Sequence, residues 1–358
     1  MGVYIHVPFC LHKCNYCDFL SFDNNHDAQE KYVAALLREI ETAEINHPID
    51  TVYFGGGTPT ALPSLLLCKI LDAVAKLPLS QGAEITVEAN PGTLTREYLT
   101  ALKKHGVTRI SLGVQSTKPH LLNAVNRRQD LIAVWENYHT AQEVGFTNIN
   151  LDVMFGLPGQ TMADWAETLA EIIRLAPQHI SAYSLTPAEG TPLWTQLENG
   201  EITLLTEETD REMYHYMIRT LARAGYRHYE LSNFAKPGFE SRHNVDCWQR
   251  VPYRGFGLGA HSFCGRTRWH NTEDLQAYIA GDYAQKDVEI LTAEDAQAEI
   301  MILGLRLLHG IAEEDISRAY KAKIIQLTKK GLLQRKEKRV RLTPRGMDLA
   351  NQVFGEFV

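Results

Sequence analysis

Along the first half of the chain, short apolar runs alternate with longer amphipathic ones. The runs VYIHV (3–7), TVYFGG (51–56), EITVEA (84–89), RISLGV (109–114), NINLDVMF (148–155) and HISAYSL (179–185) are rich in β-branched and aromatic residues and predict strands. Between them, 28–46, 64–76, 95–105, 130–144 and 162–175 space their apolar residues three and four apart and predict helices. Each strand–helix–strand step implies a right-handed crossover and a parallel neighbour. Nearly continuous apolar strands fit a sheet covered by helices. A full or partial β/α barrel and an open doubly wound sheet both meet this pattern. The motifs separate them: GGGTPT, EANPG, GVQS and MFGLPGQT follow the second to fifth strands in turn. Polar and glycine-rich segments converging from successive strand ends favour an α/β fold built as a partial (β/α)6 barrel.

Residues 186–285 are less regular, with a helix predicted over about 206–224 and then a glycine- and aromatic-rich stretch. From 292 the pattern changes again. TAEDAQAEIMILGLRLL reads as a helix with Thr292 as N-cap, three residues before Asp295. Short helices over 312–320 and 321–330, an alternating strand pair in LLQRKEKRVRLT and a helix from Pro344 follow, the order of a winged helix. The expected domains are 1–200 (β/α core), 201–285 (an extension carrying HNVDCW and GFGLGAHS) and 286–358 (a small α+β winged-helix-like unit). LPGQT (157–161) reads as a strand-to-helix turn capped by Thr161.

Composition narrows the class. The chain has 358 residues, 44% hydrophobic and 22% charged, as in ordinary soluble globular proteins. No run reaches the roughly 20 apolar residues of a membrane span. MGVYIHVPFC carries no secretory signal and misses the myristoylation pattern at His6, so a cytoplasmic protein is expected. The net charge of −7 makes no whole-chain case for nucleic acid. The segment from Asp315 to Gly346 is different, with eleven Lys or Arg against Asp315 and Glu337. A winged helix with such a face suggests DNA. Docking of an acidic partner or an anionic membrane through Lys329, Lys330, Arg335, Lys336 and Arg339 is the preferred expectation, and nucleic acid is not expected.

Three of the six cysteines, Cys10, Cys14 and Cys17, crowd into FCLHKCNYCDF directly after the first strand. In a reducing compartment such clusters bind metal or do redox chemistry more often than they form disulfides. Three thiolates cannot complete a tetrahedral zinc site, although His6 or His12 could supply a fourth ligand. A 4Fe–4S cluster held by three thiolates keeps one iron open for a small molecule. The C-x3-C-x2-C spacing, with Tyr16 before the third cysteine, resembles the radical S-adenosylmethionine (SAM) enzymes. YIHVPFC, GGGTPT, EANPGT, SLGVQS, VNRRQ, NLDVMFGLPGQT and YRGFGLGAHS occur in the order found in one branch of that superfamily. That branch holds the oxygen-independent coproporphyrinogen III dehydrogenase HemN and the haem chaperone HemW, and the likeness spans residues 2–355.

The resemblance implies that Cys10, Cys14 and Cys17 hold the cluster and that SAM chelates its fourth iron. An electron supplied by a flavodoxin- or ferredoxin-type donor would then cleave SAM to a deoxyadenosyl radical. It implies SAM contacts for Tyr4, Tyr16, Gly56, Gly57, Thr58, Glu88, Gln115, Arg127 and Asp152. By chemistry, a carboxylate suits ribose hydroxyls and an arginine suits the methionyl carboxylate. Free amides of the GGGTPT glycines suit a carboxylate or sugar oxygen. GFGLGAHSF follows no predicted strand of a βαβ unit, so it reads as a tight loop approaching the cluster or adenine rather than a dinucleotide site.

Two departures choose within the branch. Phe19 stands where the dehydrogenase has a fourth cysteine. HNVDCW matches the H-N-x-x-Y-W motif tied to haem in the chaperones, with Cys247 in the tyrosine position. His243, Cys247 and Trp248 are therefore the haem-binding candidates. The resemblance implies a haem chaperone that binds haem and a SAM-coordinated cluster and passes haem to acceptor proteins. The alternatives are radical decarboxylation of porphyrinogen propionates to vinyls, or another radical reaction on a tetrapyrrole such as haem ring opening. Cys68, in the apolar run LLLCKIL, reads as a small buried hydrophobe; Cys264 has no assigned role.

Overall fold

The six apolar runs fold as β1 (Gly2–Val7), β2 (Ile49–Gly56), β3 (Leu79–Ala89), β4 (Arg109–Gln115), β5 (Ile149–Phe155) and β6 (His179–Ser184) in a computed structural model that describes residues 1–23 and 25–358. The five helices between them are α1 (His26–Thr42), α2 (Ser64–Val74), α3 (Arg96–Lys104), α4 (Leu131–Glu143) and α5 (Met162–Leu175). All six strands are parallel and neighbour one another in chain order. A monotonic order has no reversal at which a doubly wound sheet would bind its ligand, so that alternative falls. The sheet does not close, and the expected partial barrel is the architecture observed.

The extension lengthens the same sheet at both ends. β7 (Arg227–Glu230) and β8 (Asn233–Ala235) add antiparallel beyond β6. On the other side β9 (Tyr253–Phe256) lies parallel to β1, followed by β10 (His261–Cys264), β11 (Thr267–His270) and β12 (Lys286–Ile290). The glycine run GFGLG thus leaves the end of a strand that propensity did not reveal.

Alternation along each strand sorts the side chains. Val3, Ile5, Val52, Phe54, Val87, Leu151 and Phe155 join the core under the helices. Their alternates line the lumen and are polar yet buried: Thr51, Thr86, Arg109, Asn150 and His179 are at most 1% exposed. Thr51, Asn150 and His179 find partners on other segments, whereas Thr86 Oγ1 and the Arg109 Nε and Nη1 have none among the described residues. His179 Nδ1 pairs with Asn150 Oδ1 (2.6 Å) and its Nε2 with the Tyr229 hydroxyl (2.8 Å). The short helix Arg242–Trp248, which carries HNVDCW, is capped by Ser241. Glu84 Oε1 accepts from the backbone amides of Arg242 (3.1 Å) and His243 (3.4 Å), which ties that helix to the base of β3.

The C-terminal segment has its own core of Met301, Leu305, Ile324, Leu327, Leu333, Val340 and Val353. The expected capping box forms at Thr292 and Asp295. The helix expected over 312–320 resolves into two 3-10 turns, Glu313–Asp315 and Arg318–Tyr320. The helix from Pro344 breaks at Leu349 into Pro344–Asp348 and Ala350–Gly355. Much of the basic face is already paired. Arg339 donates to the carbonyls of His309 (3.0 Å) and Gly310 (2.6 Å). Arg335 meets Glu313 (3.6 Å) and Lys330 meets Glu356 (3.6 Å). Among the described residues, no helix is long and apolar enough to cross a membrane.

Candidate functional site

At the C-terminal ends of β1–β5 the lumen opens into a cavity of about 320 Å3 whose wall includes Cys10, Cys14 and Cys17. Cys10 ends a two-residue strand, Phe9–Cys10, that pairs with Phe22–Asp23 and closes the loop on itself. Its buried Sγ accepts from Thr58 Oγ1 at 3.6 Å. The chain then turns so that Cys17 N–H donates to Cys14 O (3.2 Å). Cys14 Sγ accepts from Arg127 Nη1 at 3.6 Å. Burial pushes the Cys10 and Cys17 thiols up, so in the free protein they are held as thiols until a metal replaces the proton.

Among the described residues, no three His, Cys, Asp or Glu side chains gather around a single-ion point. The three thiols instead border one cavity, which is what separate iron corners of a cluster require. His6 is withdrawn from a zinc role because its nitrogens meet the Tyr4 hydroxyl (3.1 Å) and Leu20 O (2.8 Å). His12 borders the cavity with a buried Nε2 that has no partner among the described residues. An orphaned polar atom and three thiols free of any disulfide on one wall fit a polar inorganic group of the kind the family carries.

The glycine turn after β2 corrects one expectation. Its amides are not free: Gly57 N–H donates to Val7 O (2.9 Å) and Thr58 N–H to Phe9 O (2.7 Å). The Gly56 amide bonds to Glu88. These three amides are therefore not open to an anion. The glycines are required by packing: a Cβ at Gly57 would lie 2.7 Å from Phe9 O, and Gly56 has φ +109°.

Four side chains face this turn. Glu88, at the end of β3, accepts from the Tyr53 hydroxyl at 2.7 Å, and burial raises its carboxyl to about 7. Asp152, on β5, accepts from Asn150 (2.7 Å) and Ser111 (3.2 Å), and burial raises it too. Gln115 sits at φ +64° beside a register shift between β4 and β5, a bulge that re-aims a strand-end side chain into the cavity. Arg127 is 7% exposed and bonds Asn90 Oδ1 (2.9 Å), Gln129 Oε1 (3.1 Å) and Gly113 O. Tyr16 lines the same space, and burial raises its hydroxyl above the ordinary tyrosine range.

The structure thus brings together every expected SAM and cluster residue except Tyr4. That ring stacks on Tyr53 (centroids 6.5 Å apart) and borders a neighbouring cavity. Residues not singled out from sequence also line the site, notably Tyr53, Asn90, Ser111, Gly113 and Tyr183. Asn90 lay inside the EANPG motif. Tyr53 and Ser111 were detectable only by strand alternation once it is known which face is the lumen.

The haem candidates divide. His243 is buried, bonded through Nδ1 to Thr51 Oγ1 (3.0 Å) and stacked on Tyr53 at 5.1 Å. Burial lowers its imidazole to about 4. Cys247 borders the neighbouring cavity with His243, and burial raises its thiol to about 12. Trp248 points away from both, toward the C-terminal segment, under the Arg306 guanidinium (4.3 Å). The glycine loop approaches the far side of the cysteine loop: a Cβ at Gly259 would lie 2.6 Å from Leu20 Cδ2. Cys68 is buried in α2, as expected, and Cys264 is exposed at the end of β10.

The radical SAM superfamily model matches residues 4–172 and the HemN C-terminal domain model matches 291–349. A curated protein named heme chaperone HemW from Bacillus subtilis is 36% identical, covering 100% of this chain and 99% of its own. One of the same name from Lactococcus lactis is 34% identical over 100% and 97%. The solved structure of coproporphyrinogen III oxidase (HemN) from Escherichia coli, described as a radical SAM enzyme, superposes with a TM-score of 0.85. It is 24% identical and covers 99% of this chain and 89% of its own.

Proposed function

This chain belongs to the HemW family within the radical SAM superfamily, and from that membership we propose that it is a haem chaperone, binding haem beside a SAM-coordinated 4Fe–4S cluster and delivering it to an acceptor protein. The observation that carries the reading is the full-length likeness to proteins named heme chaperone HemW. Phe19, 63% exposed in the cysteine loop where the dehydrogenase has its fourth cysteine, supports it.

In this reading Cys10, Cys14 and Cys17 ligate three corners of the cluster. Bound there, cluster and SAM would supply one-electron chemistry. The chain's own residues orient the ligand. The glycine turn takes the SAM amino group, Arg127 its carboxylate, and Glu88 and Asp152 accept from polar hydrogens of the nucleoside. Tyr16 and Gln115 wall the cavity. The partners required are a haem-accepting protein and a flavodoxin- or ferredoxin-type electron donor.

The test is anaerobic. Reconstituted protein with SAM and dithionite receives haem in one sample and coproporphyrinogen III in another. Haem uptake with no change in porphyrinogen mass is the expected result. Loss of two carboxyl groups from the porphyrinogen would make the protein an oxidative decarboxylase instead.

The Glu88 carboxyl, raised to about 7, gives SAM binding a pH dependence. SAM brings positive charge, so it favours the ionised form. Above the Glu88 pKa affinity is flat; below it a proton must leave first, and affinity falls by up to about tenfold per pH unit. Titration calorimetry between about pH 6 and 8 reads the slope. Glu88→Gln is expected to bind more weakly at the upper end and to lose the slope. A slope that persists in Glu88→Gln would remove Glu88 from the site.

A further inference from the structure

Two of the three cluster cysteines are joined by a chain of side-chain hydrogen bonds. Asn90, the residue that follows β3, stands at its centre. Its Oδ1 accepts from Arg127 Nη2 (2.9 Å) and its Nδ2 donates to Thr58 Oγ1 (2.9 Å). Thr58 Oγ1 donates to Cys10 Sγ and Arg127 Nη1 donates to Cys14 Sγ, each at 3.6 Å. The path from sulfur to sulfur therefore runs Cys10–Thr58–Asn90–Arg127–Cys14.

Donor chemistry fixes the direction of every bond in the chain. A guanidinium can only donate, so the Asn90 atom facing it is the amide oxygen. The amide nitrogen then faces Thr58 and donates to its hydroxyl oxygen. That leaves the single hydroxyl proton of Thr58 for Cys10 Sγ. The packing around the chain is tight. Asn90 O accepts from the Thr93 amide (3.1 Å) and hydroxyl (2.7 Å), which fixes the backbone that carries the side chain. On the opposite side stands Gly113, where a Cβ would lie 2.9 Å from Asn90 Oδ1 and 3.0 Å from Arg127 Nη2. A side chain there would force the two groups apart.

Hydrogen bonds donated to the sulfurs of an iron–sulfur cluster stabilise its electron-rich reduced form and raise its reduction potential. We propose that Asn90 is the positioning residue of a relay, Arg127–Asn90–Thr58, that donates to two of the three cluster thiolates, sets the potential at which the cluster accepts its electron, and ties that potential to the arginine that takes the SAM carboxylate. The proposal rests on the cluster and SAM assignments made above and adds the coupling between the two sites. One guanidinium serves both, with Nη2 held by Asn90 and Nη1 on Cys14. A carboxylate drawn to Arg127 meets a group already bonded to a cluster ligand.

The test uses the full-length protein, reconstituted anaerobically with iron and sulfide and kept free of SAM. Its one-electron reduction is titrated with dithionite against mediator dyes and followed by the electron paramagnetic resonance of the reduced cluster. Asn90→Ala is expected to lower the reduction equilibrium about tenfold, which is about 59 mV for a one-electron couple. Thr58→Val removes only the bond to Cys10 and should shift the potential the same way by less. The double variant should shift it by less than the sum of the two, because both residues lie on one chain; independent packing losses would add. Asn90→Ala should also bind SAM about three- to tenfold more weakly, the effect of losing one hydrogen bond on Arg127. An unchanged potential in variants that keep about four irons per chain would overturn the relay while the cluster assignment stands. Unchanged SAM affinity would overturn its tie to the SAM site. Should Asn90→Ala fail to hold a cluster, Thr58→Val decides alone: a lower potential supports the relay and an unchanged one overturns it. A wild-type protein that assembles no 4Fe–4S cluster would bring down the cluster assignment and the relay together.

Discussion

Replacing Cys10, Cys14 or Cys17 singly by alanine is expected to abolish the cluster, taking bound iron from about four per chain to below one. Each thiolate would hold a different iron corner, and no other cysteine borders the cavity to replace it. Cys68 is buried in α2, Cys247 borders the neighbouring cavity, and Cys264 is exposed on β10. Cys14 and Cys17 are only half-buried, so their truncation should cost little stability. Cys10 is packed, and Cys10→Ser is the gentler companion variant. Iron and sulfide analysis after anaerobic reconstitution is the measurement, with Cys68→Ala as the variant that keeps a full complement. Four irons and four sulfides retained in any one of the three alanine variants would refute the ligand set.

Arg127→Ala is expected to weaken SAM binding about 100-fold, near 2.7 kcal/mol. The guanidinium is buried, and its fork is held by Asn90, Gln129 and the Gly113 carbonyl before any ligand arrives. A pre-oriented fork loses little freedom on pairing with a carboxylate. Truncation also leaves the Gly113 carbonyl without this donor, costing about 1–3 kcal/mol of stability. Arg127→Lys separates the two effects. It keeps the charge but cannot reproduce the planar fork, so affinity should stay well below wild type. Full recovery by lysine would mean that charge alone matters. Unchanged affinity in Arg127→Ala would place the SAM carboxylate elsewhere.

The two variants draw on different kinds of legibility. The cysteines could be read from spacing, because three cluster ligands on one loop must be close in sequence. Arg127 was suggested by the VNRRQ motif, but its neighbour Arg128 is chemically equivalent in the string. Only the fold buries the first and leaves the second exposed. Tyr53 was invisible for a related reason. TVYFGG alternates, yet alternation does not say which face is the lumen. The hydroxyl of Tyr53 on Glu88 and its ring on His243 follow from that choice. The turn glycines were noted correctly, but their amides proved to be spent on Val7, Phe9 and Glu88. Backbone partners depend on which strand ends lie alongside, and no local motif encodes that.

What the sequence determined by itself is the alternation of strands and helices, the placing of motifs at strand ends, and the three-thiol loop. These rest on short-range physics: side-chain periodicity, glycine at close approaches, and ligand spacing within one segment. Tertiary structure alone decided that the sheet stays open, that residues 253–290 extend it beside β1, and that His243 is enclosed while His261 stands free on a cavity wall. Those outcomes depend on contacts between segments far apart in the chain. Burial there changes the setting of a side chain as much as its identity does, since two histidines with the same intrinsic pKa end one enclosed and one exposed on a cavity wall.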